Sequence, residues 1–121
     1  MPSDAYRLFA WAIENHVPLR CRYKGMVREL CPITLGTDDK GEVAHVWVTG
    51  GAFSGPLPAW RTFRLENVTG TRPREGEWQS GRSKGDRAPT ITVDYDANRE
   101  SPYAPTHSLG ELRGAPQPSD S

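Results

Sequence analysis

Basic residues are concentrated in one short stretch of the sequence. Residues 18–28 contain Arg20, Arg22, Lys24 and Arg28 and no acidic residue. Guanidinium groups form planar, paired hydrogen bonds with phosphate oxygens, so this composition favours contact with an anionic ligand. A simpler interpretation is a solvated strand face whose charges discourage aggregation at a sheet edge. The sequence alone leaves both interpretations open.

Aromatic and basic residues occur together again later in the chain. Arg61 follows Trp60 directly, Arg64 lies three residues further on, and Trp47 lies in an earlier segment of alternating polarity. That alternation predicts that Trp47 and Trp60 face outward. An exposed aromatic ring can stack on a nucleobase, a contact worth about 1–3 kcal/mol. Cationic and aromatic side chains on one face are what a nucleotide or single-stranded nucleic-acid site requires.

The sequence contains no recognisable catalytic or metal-binding set. Ser54 lacks the context of a nucleophile elbow, and His16 and His45 have no ligand spacing to the cysteines. The glycine-rich residues 50–55 lack the Gly-Lys-Ser/Thr ending of a phosphate-binding loop. We therefore expect a non-enzymatic protein without a cofactor or a bound metal.

Length, charge and composition limit the fold and the functions that these residues can serve. The chain has 121 residues, with 15 Lys+Arg balanced by 15 Asp+Glu, which excludes a globally basic nucleic-acid coat but not a local anion site. The length predicts one domain, and 12 Gly and 11 Pro with 36% hydrophobic residues predict a turn-rich, β-leaning fold. No apolar segment long enough to span a membrane and no signal peptide are evident, so a cytoplasmic location is expected.

Periodicity predicts one helix followed by short strands. Ser3 as N-cap and an apolar period of 3.6 residues predict a helix over 3–16. Alternating polarity then predicts strands over 19–24, 27–35, 43–49, 60–65, 67–71 and 90–96, with a turn at 36–41 and a loop at 50–58. The fold predicted for residues 1–97 is mainly β, a small SH3-like or Sm-like β-barrel of five to six strands with one N-terminal α-helix. Residues 98–121, rich in Pro, Ser and Gly, are predicted to form a disordered C-terminal tail.

The first two strands are predicted to form a hairpin with a three-residue loop at 25–27. This register places Cys21 opposite Cys31 and Lys24 opposite Arg28. Both cysteines are then expected to be buried free thiols, with a cross-strand disulfide as the less favoured alternative.

Trp11 lies on the otherwise polar side of the predicted helix. An exposed tryptophan there indicates a contact for a protein partner or for a second copy of the chain. Alternatively, residues 72–89 fold over it, with Trp78 as the only large apolar residue of that segment.

Several of these residues carry a family resemblance. Residues 21–32, Cys-Arg-Tyr-Lys-Gly-Met-Val-Arg-Glu-Leu-Cys-Pro, resemble the opening hairpin of the WYL domain. Val46-Trp47-Val48 stands at the position of the namesake triplet, and residues 60–65 resemble the closing Arg-x-Phe-Arg-Leu element. The triplet keeps only its central aromatic residue, and Asn67 stands where the family usually has an arginine.

The resemblance covers about residues 12–70. It implies a barrel that senses a ligand, often nucleic acid or a nucleotide, in bacterial transcription regulators, and Arg28 and Arg64 match basic positions of the family pattern. The resulting hypothesis is a ligand-binding regulatory domain. Its candidate site residues are Arg22, Tyr23, Arg28, Trp47, Trp60, Arg61 and Arg64. The alternative is a protein–protein interaction module that uses Trp11, the 50–58 loop and the Pro-rich tail.

Overall fold

The computed structural model describes residues 3–51, 55–79 and 92–97. These residues form one N-terminal helix and a six-stranded antiparallel sheet, so the prediction of a mainly β fold is confirmed. The elements are α1 (Asp4–Asn15), β1 (Leu19–Tyr23), β2 (Met26–Asp38), β3 (Gly41–Gly51), β4 (Ala59–Arg64), β5 (Val68–Pro73) and β6 (Thr92–Asp96), with a 3-10 turn (Leu65–Asn67) between β4 and β5. The predicted tail at 98–121, and residues 80–91 of the preceding segment, lie outside the described residues.

Strand β2 is the centre of the sheet. The strand order is β4-β3-β2-β1-β5, and β6 also pairs with β2. β3 pairs with one edge of β2. On the other edge, β1 pairs with residues 26–30 and β6 with residues 34–37. With neighbours on both edges, seven consecutive residues of β2, 30–36, are buried. Within the described residues β4 and β5 share no ladder, so the sheet does not close as the barrel prediction expects.

The helix is fixed to the sheet at its N-terminal end. Ser3 is the N-cap, and its hydroxyl oxygen accepts a hydrogen bond from the Tyr6 backbone N–H at 3.1 Å. The Ser3 backbone N–H and hydroxyl donate to the Glu42 carboxylate of β3 at 2.9 and 2.5 Å. The Tyr6 hydroxyl donates to the Asp94 carboxylate of β6. These contacts hold the buried face of the helix, including Phe9 and Ile13, against the core.

The predicted register of the β1–β2 hairpin is wrong. Lys24 and Gly25 form a two-residue turn in which both residues have positive φ, 52° and 83°. Turns of this type match the right-handed twist of paired strands. Cys21 therefore lies opposite Arg28, not Cys31. Because side chains alternate along β2, Cys31 faces the other side of the sheet from Arg28 and Cys21. Both cysteines are free and buried, so the disulfide alternative is excluded.

The turn predicted at 36–41 is present but shorter, at Asp39 and Lys40, because β2 continues to Asp38 and β3 begins at Gly41. Gly36 lies where β6 crosses close to β2. A Cβ atom at this position would lie 1.9 Å from the Thr92 carbonyl oxygen. The glycine is therefore required by close packing of two backbones rather than by a turn.

We expect Gly36→Ala to destabilise the protein by about 1–3 kcal/mol, because β6 must move away from β2. Gly50→Ala is the matched control in the same sheet, since the only atom within 3 Å of its new Cβ is Oε1 at the end of the Glu29 side chain. Urea unfolding measures both variants. Equal effects of the two substitutions would contradict this role of Gly36.

Candidate anion-binding face

Arg64, a predicted ligand-binding residue, is engaged within the fold. Its Nη1 and Nη2 atoms donate to the two Asp38 carboxylate oxygens at 3.0 and 2.5 Å. This hydrogen-bonded guanidinium holds the pKa of Asp38 well below its usual range, and the Lys40 backbone N–H lowers it further. The same contact raises the pKa of Arg64. The positive charge expected to neutralise phosphate is thus balanced by a carboxylate.

Tyr23 also has an internal partner. Its ring stacks on Phe63 with the centroids 4.0 Å apart and the planes 12° from parallel. Its hydroxyl oxygen accepts a hydrogen bond from the Arg64 backbone N–H at 3.2 Å. One face of the ring is therefore covered, and Tyr23 joins the end of β1 to β4.

Trp47 and Trp60 lie opposite each other on β3 and β4. Their rings meet edge to face, with centroids 5.2 Å apart. Trp47 is only 7% exposed, so the prediction that it faces solvent is wrong. Its Nε1–H donates to Gln79 Oε1 at 3.1 Å, and the Gln79 backbone N–H donates to Cys31 Sγ at 3.4 Å. We call the face of the sheet that carries Glu29, Cys31 and Trp47 the outer face. Residues beyond β5 therefore cover the part of the outer face around Trp47.

Arg28 and Arg61 lie apart from the tryptophans. Arg28 is half-buried and shares a face with Cys21. Arg61 is exposed, lies opposite Val46 and donates from Nη1 to the Trp60 carbonyl oxygen at 2.8 Å. Alternation along β4 places the Arg61 and Trp60 side chains on opposite faces. The seven predicted site residues therefore do not converge on one surface.

The structure brings together a different basic set, which we call the basic row: Arg20 and Arg22 of β1 and Arg72 of β5. All three are exposed, and Arg20 lies directly opposite Arg72. Like charges in opposed positions destabilise a strand pair. Within the described residues none of the three forms an ion pair.

The acid nearest the basic row in the sheet register is already paired. Glu29 lies opposite Arg20 on β2, and its carboxylate is 3.8 Å from the Arg74 guanidinium. Protection of a sheet edge does not explain Arg20 and Arg22, because β1 lies between β2 and β5 rather than at an edge. The basic row is therefore the strongest candidate for an anion-binding surface.

Sequence reasoning missed Arg72 because the fifth strand was predicted to end at residue 71, whereas β5 runs to Pro73. Extending the predicted fifth strand by two residues, from 71 to 73, would have placed Arg72 in it. Its pairing with Arg20 depends on a long-range contact that no local pattern shows.

Comparison of the chain with protein-family models, curated proteins and solved structures finds no match. The WYL resemblance has no support from these comparisons and stays a prediction. In the described ranges, no helix is long and apolar enough to cross a membrane. The same ranges contain no group of three His, Cys, Asp or Glu side chains placed to hold a metal ion.

The Asp38–Arg64 pair predicts an acid-dependent stability. The pKa of Asp38 is lower in the folded than in the unfolded protein, so the pair stabilises the fold above the unfolded pKa of about 4. That stabilisation is lost as the pH falls towards the folded pKa. We therefore expect wild type to exceed Asp38→Asn in unfolding free energy at pH 6, with the difference shrinking below about pH 4. Urea titrations across this range measure it, and a difference that does not change with pH would contradict the assignment.

Proposed function

We propose that the chain is a non-enzymatic regulatory domain that senses single-stranded nucleic acid or a nucleotide through the outer face of β1 and β5. The observation that carries the proposal is the opposition of Arg20 and Arg72 beside Arg22, all exposed. The reducing cytoplasm is the proposed location, and it suits the two free thiols.

The electrostatics of the basic row favour an anionic ligand. Opposed guanidinium groups repel each other in the free protein, and a phosphate placed between them would replace that repulsion with charge-assisted hydrogen bonds. Arg20 and Arg22 are two positions apart on one strand, so about 7 Å separates their backbone positions. That spacing lets the two side chains reach different phosphates of one ligand.

This proposal revises the predicted site. Arg22 remains in it, Arg20 and Arg72 join it, and Arg64 and Tyr23 take structural roles. The protein-interaction alternative gains no specific support, because Trp11 is half-buried and packs against the core. Residues 52–54 of its loop and its tail lie outside the described residues.

Salt dependence tests the basic row. Each of Arg20→Ala, Arg22→Ala and Arg72→Ala removes one phosphate contact. We therefore expect each to weaken oligo(dT) binding and to lower the slope of log K against log salt by about 0.7, the value for one contact to a single strand. The triple variant should lose a slope of about 2. Fluorescence anisotropy at several salt concentrations measures these slopes.

Lys40→Ala is the matched control. It removes one exposed positive charge at the β2–β3 turn, beyond the end of β2 that pairs with β6. Equal losses for Lys40→Ala and Arg20→Ala would show that only net charge matters and would overturn the site assignment. An absence of binding by wild type at low salt would overturn the proposed function itself.

A further inference from the structure

Residues 74–79, which we call the strap, cross the outer face of the sheet after β5. The strap begins where the Arg74 backbone N–H donates to the Pro18 carbonyl oxygen at 2.9 Å. It ends at Gln79, whose contacts with Trp47 and Cys31 are described above. The middle of the strap, residues 75–77, is exposed.

The contacts that hold the far end of the strap are individually weak. Trp78 stacks on the His16 ring at 5.0 Å, and His16 is itself exposed at the end of the helix. The thiol of Cys31 is a poor hydrogen-bond acceptor for the Gln79 N–H. At the near end of the strap, the Arg74–Glu29 ion pair is also long, at 3.8 Å, and both side chains are about one third exposed. Contacts of this kind can be exchanged for those of a ligand.

Trp60, the neighbour of the Trp47 ring that the strap contacts, has an unmet hydrogen bond within the described residues. Trp60 Nε1 is buried and has no hydrogen-bond partner in the described part of the chain. Buried donors without an acceptor are rare, and each needs an explanation. Trp60 lies beside Trp47, and Trp47 uses its own Nε1–H on a side-chain amide oxygen. An amide oxygen is chemically similar to a carbonyl oxygen on the edge of a nucleobase.

The covered surface adjoins the basic row. Cys31 lies opposite Trp47 on β3, and Glu29 lies two positions before Cys31 on the same face of β2. Glu29 in turn lies opposite Arg20. The aromatic pair and the basic row therefore occupy one continuous outer face, with the strap across it.

We propose that the strap is an autoinhibitory segment and that an unpaired base of single-stranded nucleic acid displaces Gln79 from Trp47. This inference rests on the proposed function, since the basic row binds the phosphates of the same ligand. Displacement of the strap exposes Trp47 and Trp60 to the base and offers an acceptor to the unpartnered Trp60 N–H. The strap thereby makes binding depend on a base and not on charge alone.

Trp78→Ala and Gln79→Ala test the strap through two probes, oligo(dT) and heparin, a polyanion without bases. Each variant removes one of the contacts that hold the far end. We expect the affinity for oligo(dT) to rise about fivefold, the lower range for stacking of one base, and the affinity for heparin to stay unchanged. Glu77→Gln, an exposed strap residue, is the control and should leave the ratio of the two affinities unchanged.

Thiol alkylation measures strap opening without a ligand. Cys31 should label several-fold faster in both variants than in wild type, as followed by peptide mass spectrometry. Cys21 is the internal control, because it lies on the other face of the sheet while burial raises the pKa of both thiols. Faster labelling of Cys21 as well in Trp78→Ala would indicate general unfolding of that variant. In that case the Cys31 labelling rate of Gln79→Ala, which keeps the Trp78 stack, is the one compared with wild type.

The outcomes separate the two proposals. Unchanged Cys31 labelling in Gln79→Ala, or an unchanged ratio of oligo(dT) to heparin affinity, overturns the strap inference and leaves the proposed function intact. A rise in both Cys31 labelling and the affinity ratio supports the inference. Failure of wild type and both variants to bind either polyanion overturns both proposals.

Discussion

The register of β1 against β2 is the constraint on which the candidate site depends. The two-residue turn at Lys24 and Gly25 sets this register, and alternation then directs Cys21 inward and Arg20 and Arg22 outward. β5 pairs with the other edge of β1, and this second register places Arg72 opposite Arg20. Shifting β1 by one residue against β2 would turn Arg20 and Arg22 to the inner face and separate them from Arg72, so the basic row would be lost.

The length of β2 explains why so small a sheet holds its shape. β3 pairs with residues 28–38 of β2, while β1 and β6 pair with separate parts of the opposite edge. Gly36 permits the close approach of β6, and Tyr6 and Ser3 connect the helix to β6 and β3. The N-terminal helix is therefore bonded directly to the last described strand, which in turn pairs with β2.

Local patterns predicted the elements well and their contacts poorly. The N-cap at Ser3, the helix and the order of the strands follow from periodicity and capping, which act over a few residues. The predicted hairpin register is wrong because the loop has two residues rather than three, with Lys24 at positive φ. Trp47 was expected to face solvent, but Gln79, far away in sequence, covers it. The Arg64–Asp38 and Arg20–Arg72 pairs likewise depend on tertiary contacts that alternation does not encode.

The central claim is that anions bind at the outer face of β1 and β5, and NMR mapping tests it most directly. Titration of the labelled protein with oligo(dT) should shift the backbone amides of Arg20, Arg22 and Arg72 most strongly. The amides at the Asp39–Lys40 turn, beyond the far end of β2, should stay in place. Shifts concentrated at that turn or along α1 around Trp11, with none in β1 and β5, would contradict the account.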